Sequence, residues 1–177
     1  MGIEQSYRRI TATELDRLLI DASWGEKFLW DGHFDYVQRD AMELANRYLD
    51  IQKEWQELHF LLTGEVTFQG QSQVPLPLRN AIMGGHDTQY EATYDYHRYL
   101  TPEEVKEVAG VLNQILPEDL RTRYKQYSYE PHAYARPISP EEWGEGDWKS
   151  ILELYSQLTK FFDEAAKEND VVIVCNL

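Results

Sequence analysis

Apolar residues recur along this chain at two spacings, and the switches between them divide it into elements. From Ile3 to Ile10 (IEQSYRRI), β-favouring residues mixed with charge predict a first strand or extended arm. Thr11 then takes the place of an N-cap, Glu14 completes a capping box, and Leu15, Leu18, Leu19 and Ala22 follow at helical spacing. Residues 23–37 (SWGEKFLWDGHFDYV) break the pattern as an aromatic-rich loop with turn points at Gly25 and Gly32, a lid on the core or a binding loop. Ala41, Leu44, Tyr48, Ile51, Trp55, Leu58 and Leu62 then alternate spacings of three and four. That predicts one helix over 38–62 with a single buried face, closed by Thr63-Gly64; Asp50, as a second cap, would split it in two.

Residues 64–79, with Gly64, Gly70, Pro75 and Pro77, read as a loop holding a short strand at 65–69, before the brief apolar run Ala81-Ile82-Met83 and Gly84-Gly85. Alternation of Tyr90, Ala92, Tyr94 and Tyr96 predicts a strand over 89–97. A capped helix follows, with Thr101 as N-cap, Pro102 at N1, Glu104 at N3 and an apolar face of Val105, Val108, Leu112 and Ile115. Pro117-Glu118-Asp119 opens another carrying Leu120, Tyr124 and Tyr127. After a Tyr/Pro loop at 128–139 and a single capped turn at 139–143, Asp147 is the expected cap of a long helix with Ile151, Leu152, Tyr155, Leu158, Phe162 and Ala165 on one face. VVIVC at 171–175 is apolar at every position, as in a strand covered on both faces. These elements amount to an α+β fold: one helix-rich domain over 1–177, with a small mixed sheet that includes the N-terminal and C-terminal strands.

Composition narrows the function more than the fold. With 17 Lys and Arg against 31 Asp and Glu, the net charge is −14, which repels phosphate backbones and makes nucleic acid a poor partner. A basic protein or a cationic ligand is the better electrostatic match, and the partner expected is a basic protein or a small molecule. No apolar run approaches the ~20 residues of a membrane-crossing helix, and the start of the chain lacks a charged-then-apolar leader. The expectation is a cytoplasmic protein with no membrane partner. Cys175 is the only cysteine, so no internal disulfide forms, and its place in an apolar strand makes it an inert thiol.

Motifs with chemistry are few. HExxH, CxxC, GxGxxG, GxxxxGK[ST] and GxSxG are all missing from the sequence, so no metal or cofactor is expected. His59 is the first candidate. At ~100° per residue it lies about 40° from Trp55 and about 60° from Leu62 around a helix, on the flank of the apolar stripe. Gln52 and Thr63 share that flank, and a polar ridge of Gln52, His59 and Thr63 beside Trp55 suits the wall of a cleft. Structural support is the competing role for His59. The second candidate is His86-Asp87 after Gly84-Gly85, where the aspartate could orient the imidazole. Tyr90, Tyr94 and Arg98 form a third group, a strand face suited to a carboxylate or a ring. The Glu pairs 103–104 and 141–142 fall in first helical turns, where they serve cap and dipole.

MGIEQSYRRIT, WQELHFLLTG, LRNAIMGG, RYLTPEEV, ISPEEW and FFDEAAKENDVVIV occur in that order over nearly the whole chain. As a set they resemble the YfbM-like family of bacterial proteins, a domain of unknown function. The resemblance implies a compact α+β domain in the bacterial cytoplasm and brings no activity, cofactor or catalytic residue. One departure is Tyr94-Asp95-Tyr96-His97, which stands where the family carries a Tyr-Gly-Pro-type turn, so no role of that loop carries over.

The reading favoured is a non-catalytic binding or interaction domain, immunity- or antitoxin-like towards a basic protein partner. The alternative is a small-molecule enzyme of hydrolase type with His59 as acid/base in an aromatic-lined cleft. The sequence leaves the oligomeric state undetermined.

Overall fold

A computed structural model describes residues 4–29, 40–43, 45–65, 73–92, 95–125 and 145–176. Its centre is a five-stranded sheet ordered β2-β1-β5-β4-β3, from β1 (Gln5–Ile10), β2 (Tyr48–Gln52), β3 (His86–Glu91), β4 (Tyr96–Leu100) and β5 (Val171–Asn176). Every pairing is antiparallel, so the sheet is not mixed. The C-terminal strand does lie along the N-terminal one, Tyr7 opposite Val174 and Ile10 opposite Val171.

Both faces are covered. On one, Tyr7, Ile51, Leu100, Val172 and Val174 meet α3 (Trp55–Thr63), α4 (Leu76–Met83), α5 (Pro102–Leu112), α6 (Pro117–Lys125) and α7 (Glu145–Glu168). On the other, Ile10, Tyr48, Val171, Ile173 and Cys175 meet α1 (Ala12–Ile20) and α2 (Ala22–Leu29) through Leu18, Phe28 and Leu29. This double cover explains why Val171 to Cys175 are all buried and unbroken by a polar residue. The capping boxes at Thr11/Glu14 and Thr101/Glu104 both form as expected.

The long helix over 38–62 does not exist. Tyr48–Gln52 is an edge strand, with Arg8 opposite Tyr48 and Ser6 opposite Asp50. Residues three apart in a strand point to opposite faces, and Tyr48 enters the second core while Ile51 enters the first. The helical spacing was satisfied by two separate cores. The polar signal at Asp50 is a stop rather than a helix start: its Oδ1 accepts from Gln52 N–H at 2.8 Å, Gln52 takes φ 47°, and the chain then turns into α3.

Four further elements differ from expectation. Residues 23–29, expected as loop, belong to the helix α2, capped by Asp21 Oδ1 accepting from Trp24 N–H, with Trp24 and Phe28 stacked 4.8 Å apart. The strand expected over 89–97 is a hairpin, closed where Ala92 N–H donates to Asp95 C=O, and Ala81-Ile82-Met83 is the last turn of α4. Asp147 lies inside α7, which begins at Glu145, and serves its first turn as a charge rather than as the cap. The expectations for 30–37, 66–69, Tyr94 and 126–143 lie outside the described residues.

Gly25 is not a turn point. It sits in α2 because the Tyr90 ring presses against it: a Cβ there would stand 2.0 Å from Tyr90 Oη and 2.3 Å from Cζ. Gly25→Ala should push Tyr90 off its 2.5 Å hydrogen bond to Leu18 C=O and destabilise the fold by about 1–3 kcal/mol. Urea denaturation checks this; an unchanged midpoint would refute it.

Candidate functional site

The sequence candidates separate into two clusters on different elements. The first is at the C-terminal end of α3. Gly64 adopts the left-handed conformation (φ 78°) and returns its N–H to Phe60 C=O, ending the helix. Thr63 Oγ1 donates to His59 C=O at 2.6 Å and accepts from Glu65 N–H at 3.0 Å. That turn brings the Glu65 carboxylate to 3.3 Å from His59 Nε2, and a carboxylate can only accept, so Nε2 carries the ring proton. Glu65 also pairs with Arg79 of α4 at 3.5 Å, while Arg123 of α6 donates to the last carbonyls of α3 at Leu61 and Leu62. His59 has no solvent exposure. Burial pulls its pKa down to about 4, against the opposing pull of Glu65, so the ring is neutral at physiological pH.

Trp55 is buried in the main core, and Gln52 belongs to β2, so the ridge of Gln52, His59 and Thr63 expected from one continuous helix is not formed. His59 instead ties the chain after α3 to its helix and, through Glu65, to α4. His59→Gln is expected to cost about 1–3 kcal/mol, the cost of leaving a buried partner poorly satisfied, and to leave ligand or partner binding intact. Retained stability with lost binding would reverse that assignment.

The second cluster lies on the β3–β4 hairpin. Arg98, opposite Asp87, donates from Nε to Asp87 Oδ1 at 2.9 Å, from Nη2 to Asp95 Oδ2 at 2.7 Å and from Nη1 to Met83 C=O at 3.3 Å. His86 faces the other way. It packs on Tyr99 with 5.1 Å between rings, and its Nε2 lies 3.1 Å from Glu104 Oε1 at the start of α5. Asp87 therefore does not orient His86, because successive strand residues point to opposite faces; Glu104 does. Tyr90 is sealed in the second core against Leu18, away from Arg98. His59 and His86 are engaged by different partners and do not form one site.

A third group was not singled out from the sequence. On the second face of the sheet, Ser6 of β1 is paired with Cys175 of β5. The β4–β5 register, carried one residue beyond the Arg98–Val174 pair, sets His97 on the far side of Cys175. Arg8, two residues along β1 from Ser6, lies on the same face with its guanidinium 5.4 Å from the Phe28 ring. Exposures are 2% for Ser6, 0% for Arg8 and 1% for His97. Burial, and after it the charge of Arg8, lower the His97 pKa to about 4. The available signal was in β1 itself, where QSYRRI is polar on both faces although both faces are buried.

Among the described residues no three His, Cys, Asp or Glu side chains gather as a metal site, and no helix is long and apolar enough to cross a membrane. Fold and site together thus define a helix-covered antiparallel sheet in which His59 and His97 are neutral and interior, with no recognisable catalytic constellation among the described residues. The chain belongs to the family described as Domain of unknown function (DUF1877), which matches residues 1–175. Among solved structures it is similar to the protein of unknown function YfbM from Escherichia coli, at 18% identity and a TM-score of 0.68, over 98% of this chain and 99% of that one. That likeness concerns the fold. No curated protein matches the chain.

Proposed function

We propose that the protein is a non-catalytic binding domain of the cytoplasm whose acidic surface receives a basic protein partner, in the manner of an immunity or antitoxin protein. The observation that carries this reading is the charge of −14, together with where it sits. Glu103, Glu107, Glu118, Glu153 and Glu168 stand exposed on α5, α6 and α7 among the exposed cations Lys106, Arg121, Lys149, Lys160 and Lys167, while Arg9, Arg47, Arg98 and Arg123 are held by groups of the chain itself. A net excess of acidic charge speeds encounter with a basic partner and makes association sensitive to salt. The hydrolase alternative has less support, because His59 is fully buried and neutral, without a path to substrate among the described residues.

Capture of partners on the immobilised protein, followed by affinity measurements from low to high salt, tests the reading. The expected result is a basic partner whose affinity falls at least tenfold on raising the salt from about 50 to 500 mM, as screening shortens the reach of exposed charges. Affinity indifferent to salt overturns it.

A further inference from the structure

We propose that the second face of the sheet carries a small binding site for a phosphate group, held by Ser6 and His97 across Cys175, with Arg8 supplying positive charge. The site is distinct from the acidic outer surface and does not depend on the protein-partner reading. It rests on two side chains deep in the fold, Ser6 at 2% and His97 at 1% exposure. Neither the Ser6 hydroxyl nor either ring nitrogen of His97 has a hydrogen-bond partner among the described residues. Buried polar groups are almost always satisfied, and one left open costs on the order of 1–3 kcal/mol. Three open atoms on one sheet face, on strands separated only by β5, mark a place where a small polar ligand would complete the bonding.

The spacing fits a small oxyanion. Strands two apart are separated by about 9–10 Å, too far for a serine and a histidine to bond directly. Cys175, with its short side chain, stands between them. Two oxygens about 2.5 Å apart, with hydrogen bonds of about 2.8 Å on either side, span about 8 Å.

The donor and acceptor pattern selects among oxyanions. A neutral imidazole offers one N–H and one lone pair, and a serine hydroxyl serves either way. The ligand must therefore accept and donate. A phosphate monoanion does both, whereas sulfate carries no proton at neutral pH and only accepts. Arg8, fully buried on the same face and close enough for its charge to disfavour protonation of His97, offsets the cost of bringing negative charge inside.

Cys175 provides the reporter. It is the only cysteine, it is fully buried, and it sits between the two proposed ligating side chains. Its reaction with an aromatic disulfide reagent thus reads the opening of this face. With orthophosphate at about 10 mM, the reaction is expected to slow at least threefold relative to chloride at matched ionic strength. Sulfate should have little effect. In Ser6→Ala, which removes an open hydroxyl and so folds at least as well, the phosphate effect should disappear; His97→Leu should behave likewise where it folds. The proposal is overturned by rates that phosphate does not change. It is also overturned by equal slowing in sulfate, which would reflect general salt exclusion, or by a phosphate effect that survives in Ser6→Ala.

Discussion

Between pH 6.5 and about 4 the protein is expected to lose much of its stability, ahead of the titration of its carboxylates. His59 and His97 both hold folded pKa values near 4, well below the ordinary 6.5, burial being the main cause in each. Above pH 6.5 neither folded nor unfolded chain carries these protons, and their contribution to stability is complete. As the pH falls below 6.5 the unfolded chain takes up protons that the folded chain refuses, so stability drops until the folded pKa is reached. A pKa unit is worth about 1.4 kcal/mol, so His97 alone accounts for on the order of 3 kcal/mol. His59 loses stability over the same window, its folded value of about 4 already including the opposing pull of the Glu65 carboxylate. Against a total stability of about 5–15 kcal/mol this is a large fraction. Urea denaturation at pH 7, 6, 5 and 4.5 should show a steadily falling midpoint, and His97→Leu should flatten the slope by up to one proton. A midpoint constant from pH 7 to 5 would refute the assignment.

The same residues show what the sequence discloses and what it conceals. Elements fixed by short-range rules were legible: Thr11/Glu14 and Thr101/Glu104 cap their helices, and VVIVC is apolar enough to require cover on both faces. Elements fixed by a distant partner were not. Tyr48 to Gln52 has helical spacing, but β1 is available as a neighbour and pairing decides. Gly25 looked like a turn signal because its reason, the ring of Tyr90, lies far along the chain. The sites follow the same division. Local contacts of His59 with Thr63 and Glu65 are within reach of sequence reasoning, whereas the row of Ser6, Cys175 and His97 exists only through the order of three strands.

Arg9→Met is expected to be among the most damaging single substitutions in the chain, costing about 3–5 kcal/mol, the usual result of removing one partner from a buried ion pair. Arg9 is 4% exposed. Its Nε donates to Asp170 Oδ2 at 2.9 Å, Nη1 donates to Asn46 C=O at 3.0 Å and to Glu164 Oε2 at 3.2 Å, and Nη2 donates to Glu164 C=O at 3.3 Å. One planar group thereby joins β1, the end of α7, the turn into β5 and the segment leading to β2, which is why lysine cannot replace it. Methionine keeps the bulk of the stem and removes every donor. Glu164, a quarter exposed and near Lys160, can turn to water, but Asp170 has side-chain exposure of only 11% and is left as an unpaired buried charge. Most of the cost is therefore the stranded carboxylate rather than the lost attraction. Asp170→Leu in the Arg9→Met background should accordingly recover part of the stability, so that the double substitution costs less than the two singles added together. Strict additivity in urea denaturation, or a single-variant cost below about 1 kcal/mol, would reduce Arg9 to an ordinary surface pair. A coupling energy well away from zero, where independent sites would give none, is what a structural junction at the sheet's rim requires.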